Sequence, residues 1–310
     1  MIDLLKDIGG SAEWEDVQKI SKGWSDDTKY RIKTKSGDNL LLRISNSEKY
    51  TDKKNEYEII KKFSGLGFNM SLPVGFGSCN QGHNVYILLS WVEGQDLEEV
   101  LPRLSEEEQY HLGRQAGEIL KRIHSLKLDK ENITQKAKVE KKLLQLKRYE
   151  ESKVRIENDE IAVQYVKDNI EKIWSNDTAY LHGDFHPGNL IYMGNGSIGV
   201  IDFNRWEVGD PYEEFYKLES FGRDLSTAYC IGQLDAYFND CIPDDFWEIS
   251  TVYVAHASVF SIKWAEKFGQ EDVDNMVKRC LLAFEDYDYF KRTIPLWYDS
   301  ELKNKWKGKL

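Results

Sequence analysis

Two aspartates and an asparagine stand close together near residue 190, and their types and spacing could do chemistry. Asp184 precedes Asn189 by five positions, and Asp202 follows at the end of a β-forming run. An amide oxygen and a carboxylate are hard ligands that suit Mg²⁺, which completes its shell with phosphate and water. A second carboxylate can orient a hydroxyl group and accept its proton. The spacing therefore matches the parts used in phosphoryl transfer, a base and two metal-holding residues.

Two short β-forming runs, LIYM and IGVID, must position these side chains. They flank Asn195-Gly196, a dipeptide favoured in two-residue hairpin turns because both of its positions need positive φ. Such a turn places Asn189 directly opposite Asp202, at a Cβ separation of about 5 Å. A hairpin with ordinary polar ends would explain these two residues by themselves.

The loop before the hairpin, HGDFHPGN, favours the chemical interpretation. Pro187 and Gly188 let the backbone turn tightly, so that Asp184 can lie near the metal without being a ligand. We expect His182 to brace the loop backbone, and Asp210 to hydrogen-bond the backbone amides of the loop.

The motifs HGDFHPGN and IDFNRWEVGDP together resemble the signature of the aminoglycoside phosphotransferase family, and the resemblance extends over most of the chain. It implies an α+β, two-lobed, protein-kinase-like fold. In that fold a small antiparallel sheet with one helix precedes a mainly helical lobe that carries the catalytic β-hairpin. It also implies that Asp184 is the base, that Asn189 and Asp202 hold Mg²⁺, and that ATP or GTP donates the phosphoryl group. Protein kinases use H-R-D, D-F-G and A-P-E segments. The absence of A-P-E makes a protein-kinase role an unfavourable interpretation.

An arginine and a glutamate in the N-terminal part could form the ion pair that a kinase-like lobe needs. In NLLLRIS, Arg43 points away from the face formed by its apolar neighbours. Glu56 shares a helix face with Ile59, Ile60 and Phe63 and needs a partner, because an unpaired buried charge is costly. The resemblance then implies that Arg43 and Glu56 position phosphates. The family often has lysine at this strand position, and arginine is not equivalent to it. A surface ion pair is the alternative.

The remaining nucleotide contacts rest on the resemblance alone. It implies that Ser25, in a short loop turned by Gly23, covers the phosphates. It also implies that the carbonyl group of Ser90 and the amide of Val92 bind the base, with Leu89 bordering the pocket. The segment GFGSCNQG is not a P-loop, because no Lys-Ser/Thr follows it.

The order of predicted elements divides the chain into two lobes. We predict a nucleotide-binding lobe over residues 1–92, a linker near 89–94, and a catalytic and acceptor-binding lobe over 93–310. A strongly charged helical insertion is expected at about 136–174.

The net charge of −11 is not spread evenly over the 310 residues. Residues 1–90 hold 13 Lys/Arg against 12 Asp/Glu, so the acidic excess lies beyond them. Such a field disfavours nucleic acid and anionic membranes as partners and attracts cationic ligands. An acidic surface that only aids solubility would show the same composition.

The acidic C-terminal part and the resemblance favour a small cationic acceptor, an aminoglycoside-like antibiotic. A metabolic kinase for choline, ethanolamine, methylthioribose or another small alcohol is the enzyme alternative. A nucleotide-binding pseudokinase scaffold is the non-enzyme alternative. The candidate acceptor-binding carboxylates are Glu207, Glu213, Glu214, Asp224, Glu285, Asp286 and Asp288.

The sequence also predicts a cytoplasmic protein. The N-terminus lacks the features of a signal peptide, and no stretch approaches 18 apolar residues. The four cysteines are scattered, as free thiols in a reducing compartment are. The oligomeric state stays open.

Overall fold

A computed structural model describes residues 5–21, 26–129, 133–175, 177–300 and 306. The chain separates into two compact units. The first unit runs to Gly94 and also contains Gly199–Trp206, and the second unit contains the rest. The sequence predicted a single boundary at residues 92 and 93. It did not predict that a later segment returns to the first unit.

A five-stranded antiparallel sheet forms most of the first unit. Its order is β1-β2-β3-β6-β5. Ile32, Leu42 and Leu88 lie on strands of this sheet, are fully or almost fully buried and pack together. The strands are β1 (Trp14–Ile20), β2 (Thr28–Thr34), β3 (Asn39–Asn46), β4 (Asn69–Met70), β5 (Pro73–Cys79) and β6 (Asn84–Ser90), of which β4 lies outside this sheet.

One helix, α1 (Tyr50–Ser64), accompanies the sheet, as predicted. Glu56, Ile59, Ile60 and Phe63 are buried along one face, which confirms the predicted periodicity. The helix ends where Gly65 and Gly67 follow, and Gly67 adopts a φ of 75° that suits glycine. The buried face turns Glu56 towards the sheet.

The second unit is mainly helical. Apolar side chains from α4, α5, α7 and α8 meet in its main core. None of the helices among the described residues is long and apolar enough to cross a bilayer. The helices are α2 (Leu97–Val100), α3 (Glu106–His124), α4 (Gln135–Glu150), α5 (Asp159–Asn169), α6 (Thr227–Tyr237), α7 (Asp244–Ala265) and α8 (Gln270–Asp286).

Strands β7 to β11, which lie between residues 95 and 209, are only two or three residues long. In the second unit β8 pairs antiparallel with β11, and β7 with β9. In the first unit Gly199 and Val200 of β10 pair in parallel with Asn69 and Met70 of β4. These strands are β7 (Gln95–Asp96), β8 (Ala179–Leu181), β9 (Leu190–Tyr192), β10 (Ile198–Val200) and β11 (Glu207–Gly209).

The turn between β9 and β10 differs from the predicted two-residue turn. The Met193 N–H donates to the Ser197 carbonyl at 3.0 Å, which closes a three-residue loop. Gly194 and Gly196 adopt positive φ, at 80° and 75°, and Asn195 does not. A second glycine therefore supplies the left-handed position that the prediction gave to asparagine. The predicted direct opposition of Asn189 and Asp202 depended on the two-residue turn, so that argument was wrong.

Candidate active site

The loop that follows β8 is held by a buried carboxylate. The backbone N–H groups of His182 and Gly183 donate to the two Glu214 oxygens at 2.8 and 2.9 Å. Glu214 is only 3% exposed, so both bonds lie in a low-dielectric environment where they are strong. Gly183 adopts a φ of 78°, a conformation that a side chain would strain. Glu214 thus fixes the backbone that leads into Asp184.

Asp184 itself contacts two basic side chains. Its Oδ1 accepts a hydrogen bond from the Lys217 ammonium group at 2.6 Å. The His186 Nε2 lies 3.6 Å from the same oxygen. Burial lowers the pKa of His186 to about 3, although the Asp184 charge opposes that shift. His186 is therefore neutral at ordinary pH, and Lys217 supplies the positive charge beside Asp184.

Asn189 is anchored through its amide nitrogen. The Nδ2 group donates to the Asp184 carbonyl at 2.8 Å and lies 3.4 Å from the His186 Nε2. The side-chain oxygen is thereby left to face other partners. Gly188 permits this turn, because a Cβ there would lie 2.8 Å from the His186 ring and 2.9 Å from a Glu98 oxygen. The oxygen of Asn189 thus has the donor type that a hard metal ion takes.

Asp202 lies in the first unit, just beyond β10. Its backbone is in the left-handed region, with φ 61° and ψ 64°. Such a conformation is uncommon outside glycine and often accompanies functional sites. Its oxygens lie 3.8 Å from Arg43 Nη1 and 3.9 Å from Lys29 Nζ, beyond hydrogen-bond distance. The Asp202 carboxylate, 27% exposed, is therefore open to solvent in part and compensated in charge by these two cations.

No group of three or more His, Cys, Asp or Glu side chains in the described part of the chain is arranged to hold a metal ion. Mg²⁺ takes few protein ligands, with hard oxygen donors, and relies on phosphate and water for the rest. The donor types at Asn189 and Asp202 fit that ion.

The predicted ion pair between Arg43 and Glu56 is present. Arg43 Nη1 donates to Glu56 Oε1 at 2.5 Å, and both residues are at most 4% exposed. The guanidinium also donates from Nε and Nη2 to Asp27 Oδ2, at 3.0 and 2.6 Å. A buried pair of this kind is not the surface pair that the sequence left open.

Asp27 and Lys53 complete a buried charge network that sequence reasoning missed. Lys53 Nζ donates to Asp27 Oδ2 at 2.7 Å and to Glu56 Oε2 at 2.9 Å. Burial alone would raise the pKa of Asp27, but the charges of Arg43 and Lys53 outweigh it and hold that pKa well below its usual value. Lys53 lies three residues before Glu56 on one helix face, a spacing that could have revealed it. This network lines a polar cavity of about 520 Å³ in the first unit.

The residues expected to bind the nucleotide base lie at the end of β6 and just after it. Leu89 is buried in the strand, and the Ser90 hydroxyl accepts from the Leu72 N–H at 2.8 Å. Within the described part of the chain, the Val92 N–H has no hydrogen-bond acceptor, as a base-binding amide requires. Ser25 and Gly23 lie outside the described residues.

Most of the predicted acceptor-binding carboxylates have internal partners. Glu213 is buried between Lys138 and Lys142, and Glu207 lies 3.2 and 3.1 Å from Lys138 and Lys141. Glu214 accepts hydrogen bonds from the backbone N–H groups of His182 and Gly183. Asp224 pairs with Arg223 and Lys278, Asp286 pairs with Arg223, and Asp288 pairs with Lys291. Glu285 is exposed.

The hydrogen-bond partners predicted for Asp210, the backbone amides of the loop before the hairpin, were wrong. Asp210 accepts from the hydroxyl groups of Ser175 and Tyr253, at 2.7 and 2.8 Å, and from the Tyr212 N–H. Glu214 binds the amides that were assigned to Asp210. His182 is fully buried and its Nδ1 accepts from the Asp184 N–H at 3.2 Å, which agrees with a bracing role.

The sequence of residues 16–246 matches the model of APH, the phosphotransferase enzyme family. The chain belongs to this family. It is therefore an enzyme that transfers phosphate to a hydroxyl group, and the resemblance read from its two motifs is confirmed. No curated protein matches the sequence.

Solved structures of small-molecule kinases share the fold at low sequence identity. A GDP complex of wild-type aminoglycoside 2'-phosphotransferase-IIIa has a TM-score of 0.68 and 17% identity, over 91% of this chain and 96% of that one. Amicoumacin kinase hAmiN, in complex with AMP-PNP, Ca²⁺ and Ami, has a TM-score of 0.63 and 14% identity, over 92% of both chains. The streptomycin-ATP-APH(2'')-IIa ternary complex has a TM-score of 0.61 and 18% identity, over 91% and 95%. The kinase-like α+β fold is thereby confirmed.

Proposed function

We propose that this phosphotransferase moves the γ-phosphoryl group of ATP or GTP to a hydroxyl group of a small molecule, with Mg²⁺ as cofactor. One observation carries the proposal. The Asn189 amide nitrogen is bound to the backbone of Asp184, so a single loop presents both a metal-ligand oxygen and the carboxylate of a base. Family membership supports the same chemistry.

In the proposed reaction Asp184 orients the acceptor hydroxyl and takes its proton. The acceptor oxygen forms a bond to the γ-phosphorus, while the bond from that phosphorus to the bridging oxygen breaks. The electron pair of the broken bond leaves with the nucleoside diphosphate. Asn189 and Asp202 are the residues that would hold Mg²⁺, which when bound neutralises phosphate charge.

The first unit positions the nucleotide in this proposal. Arg43 and Glu56 organise the phosphate end, and the buried guanidinium acts chiefly by fixing its carboxylate partners. Leu89, Ser90 and Val92 receive the base. Ser25, which lies outside the described residues, would cover the phosphates, as the resemblance implies.

An aminoglycoside-like antibiotic is the first candidate acceptor, which would make the enzyme a resistance factor. Proteins of this fold have been solved with gentamicin, kanamycin and streptomycin. A small metabolic alcohol is the second candidate. The observation in its favour is that Glu207, Glu213 and Asp224 are paired with internal lysine or arginine side chains, so they are poorly placed to bind a polycation.

We place this activity in the cytoplasm. The four cysteines are free, and burial raises the pKa of Cys79 to about 11 and that of Cys280 to about 12. Inert buried thiols of this kind are typical of a reducing compartment, where nucleoside triphosphates are also abundant.

A coupled assay for nucleoside diphosphate release tests the proposal. The protein is incubated with Mg²⁺ and ATP or GTP, against a panel of aminoglycosides, macrolides and amino alcohols. We expect turnover that depends on one acceptor class and falls by about 10²–10⁴-fold in Asp184→Ala. Nucleotide affinity, measured by calorimetry, should stay near that of the unchanged protein.

The outcomes separate the candidates. Turnover with aminoglycosides supports the first acceptor class, and turnover with simple alcohols alone supports the second. Absence of acceptor-dependent turnover with intact nucleotide binding would favour a scaffold. Near-normal rates in Asp184→Ala would show that the base is elsewhere.

A further inference from the structure

Lys217 is a buried cation beside the proposed base that neither sequence motif includes. It is 5% exposed, and its Nζ lies 2.6 Å from Asp184 Oδ1. It stands between two irregular turns, a 3₁₀ segment at Pro211–Phe215 and a π-helical segment at Leu218–Gly222. Single π-helical turns are rare and frequently accompany functional sites. The local geometry thus delivers an ammonium group to the catalytic loop.

Aromatic rings enclose the Lys217 ammonium group. The ring centroids of Tyr216 and Phe221 each lie 4.9 Å from its Nζ. Phe221 also stacks on His186, at 4.4 Å between centroids and 21° between planes. The rings exclude water from the ion pair, and a charge pair is stronger where water is excluded.

The charges around this pair leave Lys217 protonated. Burial works to lower the pKa of Lys217, but interactions with Tyr216 and Asp184 outweigh it, and the net pKa is raised. His186 is neutral, and the Arg279 guanidinium lies over the Phe221 ring at 4.3 Å. Lys217 therefore cannot serve as a base, and its action must be on Asp184.

We propose that Lys217 is a positioning residue for phosphoryl transfer, which fixes the orientation of the Asp184 carboxylate towards the acceptor hydroxyl. This inference rests on the proposed function. The positive charge of Lys217 also offsets the repulsion between the Asp184 carboxylate and the incoming triphosphate. The ammonium group keeps its protons throughout, and the hydroxyl proton passes to Asp184.

The test compares three variants of the full chain. Lys217→Met keeps the length of the side chain and removes its charge, and Lys217→Arg keeps the charge. Lys142→Met is the matched control, because Lys142 is also buried, lies 2.6 Å from Glu213 and faces the Tyr253 ring at 5.5 Å. Turnover is measured with the best acceptor of the panel, and also with water as acceptor through hydrolysis of Mg²⁺-ATP and Mg²⁺-GTP.

We expect kcat of Lys217→Met to fall about 10²-fold, as misplacement of a reacting group by about 1 Å can cause. The KM for the nucleotide should be unchanged, and Lys217→Arg should recover about tenfold of the loss. Lys142→Met should lose stability and keep its kcat. If Lys217→Met does not fold, Lys217→Gln replaces it. A crystal structure of the charge-removing variant should show the Asp184 side chain turned away from its present position.

Each outcome decides the inference. Normal kcat in a folded Lys217→Met, or an unmoved Asp184 side chain in its structure, overturns it. Loss of turnover in Asp184→Ala with normal turnover in Lys217→Met overturns the role of Lys217 alone. Absence of turnover in the unchanged protein with every acceptor, water included, overturns the proposed function and this inference with it.

Discussion

Two buried carboxylates, Asp27 in the first unit and Glu219 in the second, are stabilised in opposite ways. In the first unit Asp27 and Glu56 share two cations, Arg43 and Lys53, and the pKa of Asp27 is lowered. In the second unit Glu219 is 6% exposed and accepts a hydrogen bond from the Trp297 indole N–H at 2.7 Å.

The charge around Glu219 makes the difference. Burial raises the pKa of Glu219 to about 8, and Asp286 adds to that effect. The nearby Arg223 donates from Nε and Nη2 to Asp286, at 2.5 and 3.1 Å, and from Nη1 to Asp224 at 3.4 Å. One acid is thus ionised and the other is close to neutral at the same burial. The number of acidic residues in a sequence therefore overstates the negative charge that a ligand meets.

The strongest test of the comparison is Asp27→Asn. Removal of the Asp27 charge leaves Glu56 as the carboxylate hydrogen-bonded to both Arg43 and Lys53, so we expect the free energy of unfolding to fall by about 3 kcal/mol. Because the folded pKa of Asp27 lies below its usual 3.8, its contribution is present above that pH and is lost as the pH falls further. Chemical denaturation from pH 3 to 7 measures both effects.

The control for Asp27→Asn is the same substitution at the preceding residue, Asp26. Asp26 has a side chain that is 90% exposed and contacts Lys49 at 3.2 Å, so Asp26→Asn should change stability by less than about 1 kcal/mol. Equal losses in the two variants would contradict the importance of the buried network.

A second test concerns the backbone of the catalytic loop. Glu214→Gln replaces one acceptor oxygen by a donor, so one of the His182 and Gly183 N–H groups loses its partner. We expect a loss of about 1–3 kcal/mol in unfolding free energy, together with a reduced kcat. Denaturation and steady-state kinetics measure the two changes.

Asp159→Asn is the matched control for the loop variant. Asp159 is a buried acceptor of hydrogen bonds from Tyr149 and Arg155 in another part of the second unit. It should lose stability and keep its kcat. A normal kcat in Glu214→Gln would mean that the loop does not depend on this carboxylate.

A change of the opposite sign, a gain in stability, is expected for Glu219→Gln. A carboxyl group whose folded pKa is raised destabilises the fold as the pH rises from about 4.5 to about 8, because the unfolded chain ionises first. The variant should therefore be more stable than the unchanged protein at pH 8, by about 1.4 kcal/mol for each unit by which folding raises the pKa of Glu219, and the two should converge below pH 4.5.

Thermal unfolding at both pH values measures the difference. The exposed Glu271 on α8 provides Glu271→Gln as a control, which should show no such pH dependence. If Glu219→Gln is less stable than the unchanged protein at pH 8, the Glu219 carboxylate is charged at that pH and stabilises the fold.

The sequence predicted the features that follow from regular periodicity. Arg43 and Glu56 were found because a strand alternates and a helix repeats every 3.6 residues. Lys217 was missed, and Glu214 was assigned to the acceptor instead of the loop, because they lie beside and in a π-helical turn and a 3₁₀ turn, which carry no simple repeat. Asp27 directly precedes β2, where spacing gives no direction to a side chain.

The predicted hairpin shows the limit of short motifs. Its two strands exist, but Gly194 offered a second position for positive φ and lengthened the turn by one residue. A slip of one residue changes which side chains are opposed. The roles of Asn189 and Asp202 therefore rest on the motifs of the family and on the donor oxygens that each residue presents.

The return of Gly199–Trp206 to the first unit has a consequence for how the chain is made. This segment supplies the parallel partner of β4, and Phe203 packs against Phe63 with 5.6 Å between ring centroids. A ribosome that has released only the first hundred residues has therefore not yet supplied all of that unit. We expect its final closure to wait until Trp206 has emerged, and a gene cut after Gly94 to yield an incomplete fragment.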